Sequence, residues 1–131
     1  MEISGRSISK GIAKGPVLLS KDEISFFGGV DPKTGIVQEK GHALEGKCIA
    51  GTVLVFPRGK GSTVGSYIML QLKKNGKAPV AIINIEAEPI IAVGAIISEI
   101  PMIDKLEKDP YSVLKDEVLV TVDADKGIVK A

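Results

Sequence analysis

The densest chemistry in the 131-residue sequence lies in eight consecutive residues, Phe56-Pro57-Arg58-Gly59-Lys60-Gly61-Ser62-Thr63. Two cations alternate with two glycines, and a pair of hydroxyl side chains follows. Glycine lets the backbone come close to a bound group, and the unpaired N–H groups at the start of a following helix favour an anion. Arg58 and Lys60 add formal charge. An anionic substrate therefore suits the segment, with Arg58, Lys60, Gly61 and Thr63 as its binding residues. Ser62 has two readings: a helix cap worth ~1 kcal/mol, or a catalytic hydroxyl set among donors and cations. A helix terminus stabilises a negative charge by at most about 2 kcal/mol, roughly thirtyfold in acidity. A serine needs far more than that to act as a base near neutrality, so a second surface must supply charge and exclude water.

The segment is not a nucleotide loop. G-x-x-x-x-G-K-[ST] places lysine directly before the hydroxyl, whereas Gly61 separates Lys60 from Ser62. G-x-G-x-x-G needs a third glycine where Val64 stands. His42, the single histidine, reads as a surface or supporting loop residue rather than a catalyst. Cys48 falls in a predicted buried strand and reads as packing. One cysteine makes no internal disulfide and cannot alone hold a metal cluster. Asp31, Glu39, Glu45, Glu86 and Glu88 lack metal-ligand spacing, so neither a metal site nor a bound cofactor is expected in this chain.

The elements that must position the segment are legible around it. Cys48 to Phe56 is β-branched and mostly apolar, as in a strand buried on both faces. Val64, Tyr67, Ile68 and Leu72 then recur at helical spacing. Ser62 or Thr63 suits the N-cap, Lys73 and Lys74 the last turn, and Asn75-Gly76 the stop. Pro79 to Ile85 is another buried strand, which makes residues 47–85 a right-handed strand–helix–strand unit. Upstream, Ile3 to Ile8 and Pro16 to Leu19 read as two strands around Gly11, and residues 28–35 and 39–46 as loops. Downstream, Pro89 to Ile97 is ambiguous between helix and strand, and residues 104–109 read as a polar surface turn or helix. Val118 to Val122 and a last segment through Val129 read as strands. The expectation is one strand-rich α/β domain over residues 1–131, with one well-defined helix after the glycine-rich loop.

Composition narrows the partners. With 44% hydrophobic and 25% charged residues, a packed core is feasible and wholesale disorder is not. No apolar run approaches the ~18 residues of a membrane helix, and the first residues show no secretory signal pattern. A cytoplasmic protein is expected. The net charge of +1 and the few scattered aromatics suit neither a phosphate backbone nor stacked bases, which argues against nucleic acid. Among the 17 basic residues only Arg6 and Arg58 are arginines. Because arginine forms planar, bidentate ion pairs that lysine does not, both positions invite a functional question.

With those segments in place, a family resemblance emerges. Gly29-Val30-Asp31-Pro32-Lys33-Thr34-Gly35, His42-Ala43-Leu44-Glu45-Gly46, Val53 through Ser62, and Ala78-Pro79-Val80-Ala81 together resemble the swivelling domain of aconitase X in its separate, small-subunit form. The likeness covers about residues 3–129. It implies a swivelling β/β/α fold and a hydro-lyase completed by a large subunit that carries an iron–sulfur cluster. It also implies a phosphorylated hydroxy acid, (R)-5-phosphomevalonate, dehydrated to trans-anhydromevalonate 5-phosphate in an archaeal route to isoprenoids. The family's proton-accepting serine falls on Ser62. Ordinary aconitases follow that serine with Ser-Arg-Glu, whereas Thr63-Val64-Gly65 stand here, so tricarboxylate substrates are disfavoured.

Three other readings compete. One is the small subunit of a different aconitase X dehydratase, such as one acting on a hydroxyproline. Another is a phosphohistidine carrier of related swivelling fold using His42, although His42 lies between Gly41 and Ala43 rather than in a Thr/Ser-His loop. The last is a structural or regulatory subunit.

Overall fold

The computed structural model describes residues 1–131. Its strands are β1 (Glu2–Ser4), β2 (Arg6–Ser9), β3 (Ile12–Leu19), β4 (Val53–Phe56), β5 (Ala81–Asn84), β6 (Met102–Asp104), β7 (Leu119–Asp123) and β8 (Ile128–Lys130). They form an eight-stranded sheet in the order β1-β8-β7-β3-β4-β5-β6-β2. The two outermost strands, β1 and β2, are separated in sequence by Gly5 alone, so the sheet must roll until its two ends approach each other. A Cβ on Gly5 would meet Asp104 O and Ile103 Cγ2 at 2.7 Å. Its N–H donates to Gly127 O at 2.8 Å. Residues 3–8, expected as one strand, are therefore two strands at opposite ends of the sheet, and the chain enters with three strands rather than two.

The central strands β3, β4, β5 and β6 run parallel to one another, while β7 beside β3 and β2 beside β6 are antiparallel. Because side chains alternate along a strand, each buried strand feeds two cores. Val53 and Val55 of β4 join Ala81, Ile83, Ile103 and Val122 on the enclosed face of the sheet. Leu54 and Phe56 join Ile82 and Met102 against the helices. This is why β4 and β5 read as continuous apolar runs. The strand begins later than expected, however. Gly51, at φ +73°, turns the chain, and Cys48 lies before that turn, exposed, on a single-residue bridge to Ile36. It is not a packing residue.

Three helical segments, α1 (Phe26–Gly29), α2 (Gly65–Lys74) and α3 (Pro89–Ile97), cover one face, while the short α4 (Pro110–Val113) packs Tyr111 and Val113 against the other core. The expectation of one well-defined helix is corrected to two, because the ambiguous segment 89–97 is fully helical. Pro89 occupies its first turn, and the Glu88 carboxylate accepts the N–H groups of Ile90 and Ile91 at 3.0 and 2.6 Å, two donors the helix cannot itself satisfy. The buried face of α2 also differs. Gly65, Ser66, Met69 and Leu72 face inward, while Val64 and Tyr67 are 40% and 64% exposed. Small residues are buried there because α3 passes close: a Cβ on Gly94 would meet Met69 Sδ at 2.5 Å and Ser66 Cα at 3.2 Å. None of the helices is long and apolar enough to cross a membrane.

Asp104 corrects the expected surface turn at 104–109. It ends β6 fully buried and accepts from Arg6 Nε at 2.9 Å, Arg6 Nη2 at 2.7 Å and the Ala87 N–H at 2.8 Å. Those hydrogen bonds, and behind them the charge of Asp104, raise the Arg6 guanidinium pKa above its ordinary value. One of the two arginines is thus committed to the fold.

Tyr111, on α4, donates its hydroxyl to Ser20 O at 2.6 Å. Burial first, and the charge of Asp109 second, push its phenol up from 10.0 to about 12. A raised folded-state value means the protonated phenol stabilises the fold fully below pH 10, and the contribution fades as pH climbs towards 12. Tyr111→Phe is expected to cost about 1 kcal/mol at pH 8, with the gap to wild type closing between pH 10 and 12. Urea midpoints measured across that range check it; a gap independent of pH would refute the phenol's part.

Candidate active site

Loop 57–61 leaves the C-terminal end of β4 and is tied down on two sides. Pro57 O accepts the Ile85 N–H at 3.0 Å. The Ile24 N–H donates to Arg58 O at 3.3 Å, and the Lys60 N–H donates back to Ile24 O at 3.0 Å. Beneath it, the buried Asn84 amide donates to Phe56 O at 3.0 Å. Gly59 lies against α3: a Cβ there would run into Ile91 and meet Glu88 Oε1 at 2.6 Å. Gly61 has φ +93°, and a Cβ on it would meet Ser25 Oγ at 2.5 Å. Both glycines are dictated by space, and Gly61 by backbone conformation as well.

Ser62 emerges from this turn exposed. It does not cap α2. Its Oγ accepts the Val64 N–H at 3.1 Å and its carbonyl accepts the Gly65 N–H at 2.9 Å, which makes a tight lead-in turn, and Val64 holds the cap position without a side-chain bond. The N–H groups of Gly61, Ser62 and Thr63 donate to no protein acceptor. Three free backbone donors and a hydroxyl oxygen therefore share one turn at the positive end of a ten-residue helix, a setting that favours negative charge.

The cations arrive already paired. Arg58 Nη2 lies 3.3 Å from Glu86 Oε2 and its Nε 3.9 Å from Glu23. Lys60 Nζ lies 3.2 Å from Glu39 Oε2. All are partly exposed, where such pairs contribute little to stability and exchange readily for another anion. Thr63 lines a shallow groove of about 230 Å³ with Ser66, Pro89, Ile90 and Val93. No surface depression encloses Ser62.

His42 is buried, not at the surface. Its Nδ1 accepts the Leu44 N–H at 3.0 Å, which puts the ring proton on Nε2, and Nε2 donates to Glu23 O at 2.8 Å. With both nitrogens engaged, His42 clamps loop 39–46 to the strand-like segment that bridges Arg58 and Lys60, and it presents no free nitrogen to a phosphate donor. The carrier reading is withdrawn on this geometry. Segment 20–25, which supplies Ile24 and Ser25 to the site, carries no sequence signal, because a single-residue bridge has no periodicity. Glu39, Glu86 and Glu88 were legible only as scattered carboxylates, and Glu23, the second partner of Arg58, was missed. Across the whole chain no three His, Cys, Asp or Glu side chains converge as a metal site would need.

A rolled sheet with two cores, and a glycine-flanked serine exposed where β4 hands over to α2, mark a swivelling β/β/α domain. Residues 2–131 match the aconitase X swivel domain, and the chain belongs to that family. It is 64% identical over 130 residues to the phosphomevalonate dehydratase small subunit of Methanosarcina acetivorans, covering 99% of this chain and 90% of that one. It is likewise 64% identical to the small subunit of the same name from Methanocella arvoryzae, covering 99% and 98%. Among solved structures, the holo-form of aconitase X from Thermococcus kodakaraensis matches with a TM-score of 0.93 at 55% identity, over 99% of this chain and 97% of that one.

Proposed function

We propose that the chain is the small subunit of a phosphomevalonate dehydratase, a hydro-lyase that acts with a large subunit in the cytoplasm. The identity of 64% over 99% of the chain to relatives of that name carries the reading. The exposed serine on an unenclosed turn fits a half-site completed by a partner.

In this reading Ser62 Oγ takes a proton from the carbon beside the substrate carboxylate. The freed electron pair forms the carbon–carbon double bond as the bond from the adjacent carbon to its hydroxyl breaks. That group leaves as water with a proton donated from the large subunit's side of the site, and Ser62 later releases the proton it took to solvent. The Val64 N–H already donates to Oγ and favours its anionic form. The free N–H groups of Gly61, Ser62 and Thr63 steady charge building on the carboxylate. Arg58 and Lys60 exchange their glutamates for the phosphate or carboxylate. Docking excludes water, which strengthens each of these contacts.

The family resemblance also implies an iron–sulfur cluster. Cubane clusters are held by several thiolates, and this chain has one cysteine, exposed and before β4. Its residues do not fit such a group, so the cluster belongs in this reading to the large subunit, and no step is derived through it.

Reconstitution tests the proposal. The chain and its cognate large subunit together are expected to dehydrate (R)-5-phosphomevalonate, and neither alone. A complex inert towards that substrate but active on a hydroxyproline would move the assignment to another aconitase X enzyme. Within the active complex, Arg58→Ala is expected to raise KM about tenfold through loss of a charged contact, with subunit association unchanged. Steady-state kinetics check this, and an unaltered KM removes Arg58 from the substrate's surroundings.

A further inference from the structure

We propose that the large subunit seats on one particular face: the outer side of α3 together with the first turn of α2 and the tip of α1. The proposal rests on the two-subunit reading above and adds where the contact lies. Helix α3, Pro-Ile-Ile-Ala-Val-Gly-Ala-Ile-Ile, contains no polar side chain in nine residues. A helix that is apolar all round belongs inside a protein, yet Val93, Ile96 and Ile97 of this one are 50%, 54% and 44% exposed. Beside them, Val64 and Tyr67 point outward from α2, and Phe27 at the tip of α1 is 52% exposed. The groove formed by Thr63, Ser66, Pro89, Ile90 and Val93 joins the two helices. Together these side chains expose on the order of 500 Å² of apolar surface, about the largest patch a monomer ordinarily shows.

Continuity selects the occupant. Thr63 belongs both to the groove and to the turn that presents Ser62, and the next residue, Val64, donates its N–H to Ser62 Oγ and is itself 40% exposed. Whatever encloses Ser62 must therefore land on this face. A second copy of the chain would bring a second incomplete site and leave both serines without a complement, whereas a large subunit completes one. Standard interfaces bury about 800 Å² per partner, so the patch would supply the apolar centre and the polar loops 39–46 and 57–61 the rim.

The test uses the full chain and its cognate large subunit. Val93→Glu combined with Ile97→Glu alters exposed positions and is expected to leave the melting temperature near that of wild type while weakening association at least a hundredfold, measured by titration calorimetry. Leu119→Glu is the control: it is 58% exposed on β7, which contributes nothing to the helix-side core, and is expected to bind normally. Normal association of the folded double variant overturns the proposal. So does sedimentation showing that the patch holds two copies of this chain together while the large subunit binds elsewhere. A wild-type complex that assembles through this face yet dehydrates nothing would leave the docking surface standing and fell the functional reading instead. Failure of the wild-type chain to bind any large subunit would overturn both.

Discussion

Ser62→Ala is expected to reduce kcat of the assembled enzyme by about a thousandfold, within the 10²–10⁴ range for a lost general base, with KM and subunit affinity little changed. The substitution removes one oxygen. That oxygen accepts a single hydrogen bond, from Val64 N–H at 3.1 Å, so its structural contribution is about 1 kcal/mol, a few degrees of melting temperature in a domain of this size. A thousandfold loss corresponds to about 4 kcal/mol of transition-state stabilisation. The two magnitudes separate the roles: if Ser62 only shapes the turn, kcat should fall by tenfold or less and melting should account for it. Single-turnover kinetics on the stable complex, with substrate deuterated beside the carboxylate, make the distinction sharper. Wild type should show a kinetic isotope effect on the proton-transfer step, and residual activity in the alanine variant should come through a slower transfer to water. Undiminished kcat would end the case for Ser62 as proton acceptor.

Gly59→Ala is expected to destabilise the chain by about 2–3 kcal/mol, towards the upper end for overpacking a closed site, and to lower its melting temperature by about 10 °C. The added methyl has no yielding neighbour. On one side is Ile91, whose side chain belongs to the helix-side core at 2% exposure. On the other is Glu88 Oε1, committed to the Ile91 N–H at the start of α3. Relief requires loop 57–61 to lift away from α3, which would break the paired bonds of Ile24 with Arg58 and Lys60. Activity should consequently fall further than the fraction unfolded explains. Thermal melts of the isolated chain and kcat of the complex check the two parts separately. A variant that melts like wild type would show that the loop is not wedged against α3 as described.

The parts of the fold that declared themselves in the sequence are those with strong local signals. β4 and β5 are short, mostly apolar runs rich in β-branched residues and flanked by Pro57 and Pro79, and Asn75-Gly76 stops α2 where expected. The errors have identifiable physics. Counting apolar residues placed Tyr67 on the inner face of α2, but the close approach of α3 selects small residues for burial, so Gly65 and Ser66 take the inside. The apolar run 89–97 has no period to distinguish helix from strand; Glu88 and Pro89, a capping acid followed by an N1 proline, were the available cue. Asp104 looked solvated because a lone acid in a polar stretch usually is, and its partner Arg6 lies 98 residues away. In the site, Ser62 and its glycines were legible as a motif. The ion pairs of Arg58 and Lys60, and the clamp made by His42, depend on loops 20–25, 39–46 and 85–88 that only the folded chain brings beside loop 57–61.

The manner in which the sheet terminates has a consequence for assembly. Its outermost strands, β1 and β2, are three and four residues long, and β2 carries a register break between Ser7 and Ser9. Such brief, irregular margins offer little unpaired backbone for a foreign chain to extend. A companion protein therefore has no ladder to lengthen and must recognise this subunit through side-chain shape, which leaves pairing selectivity to a handful of aliphatic and aromatic groups that can diverge between lineages without disturbing the hydrogen-bonded framework.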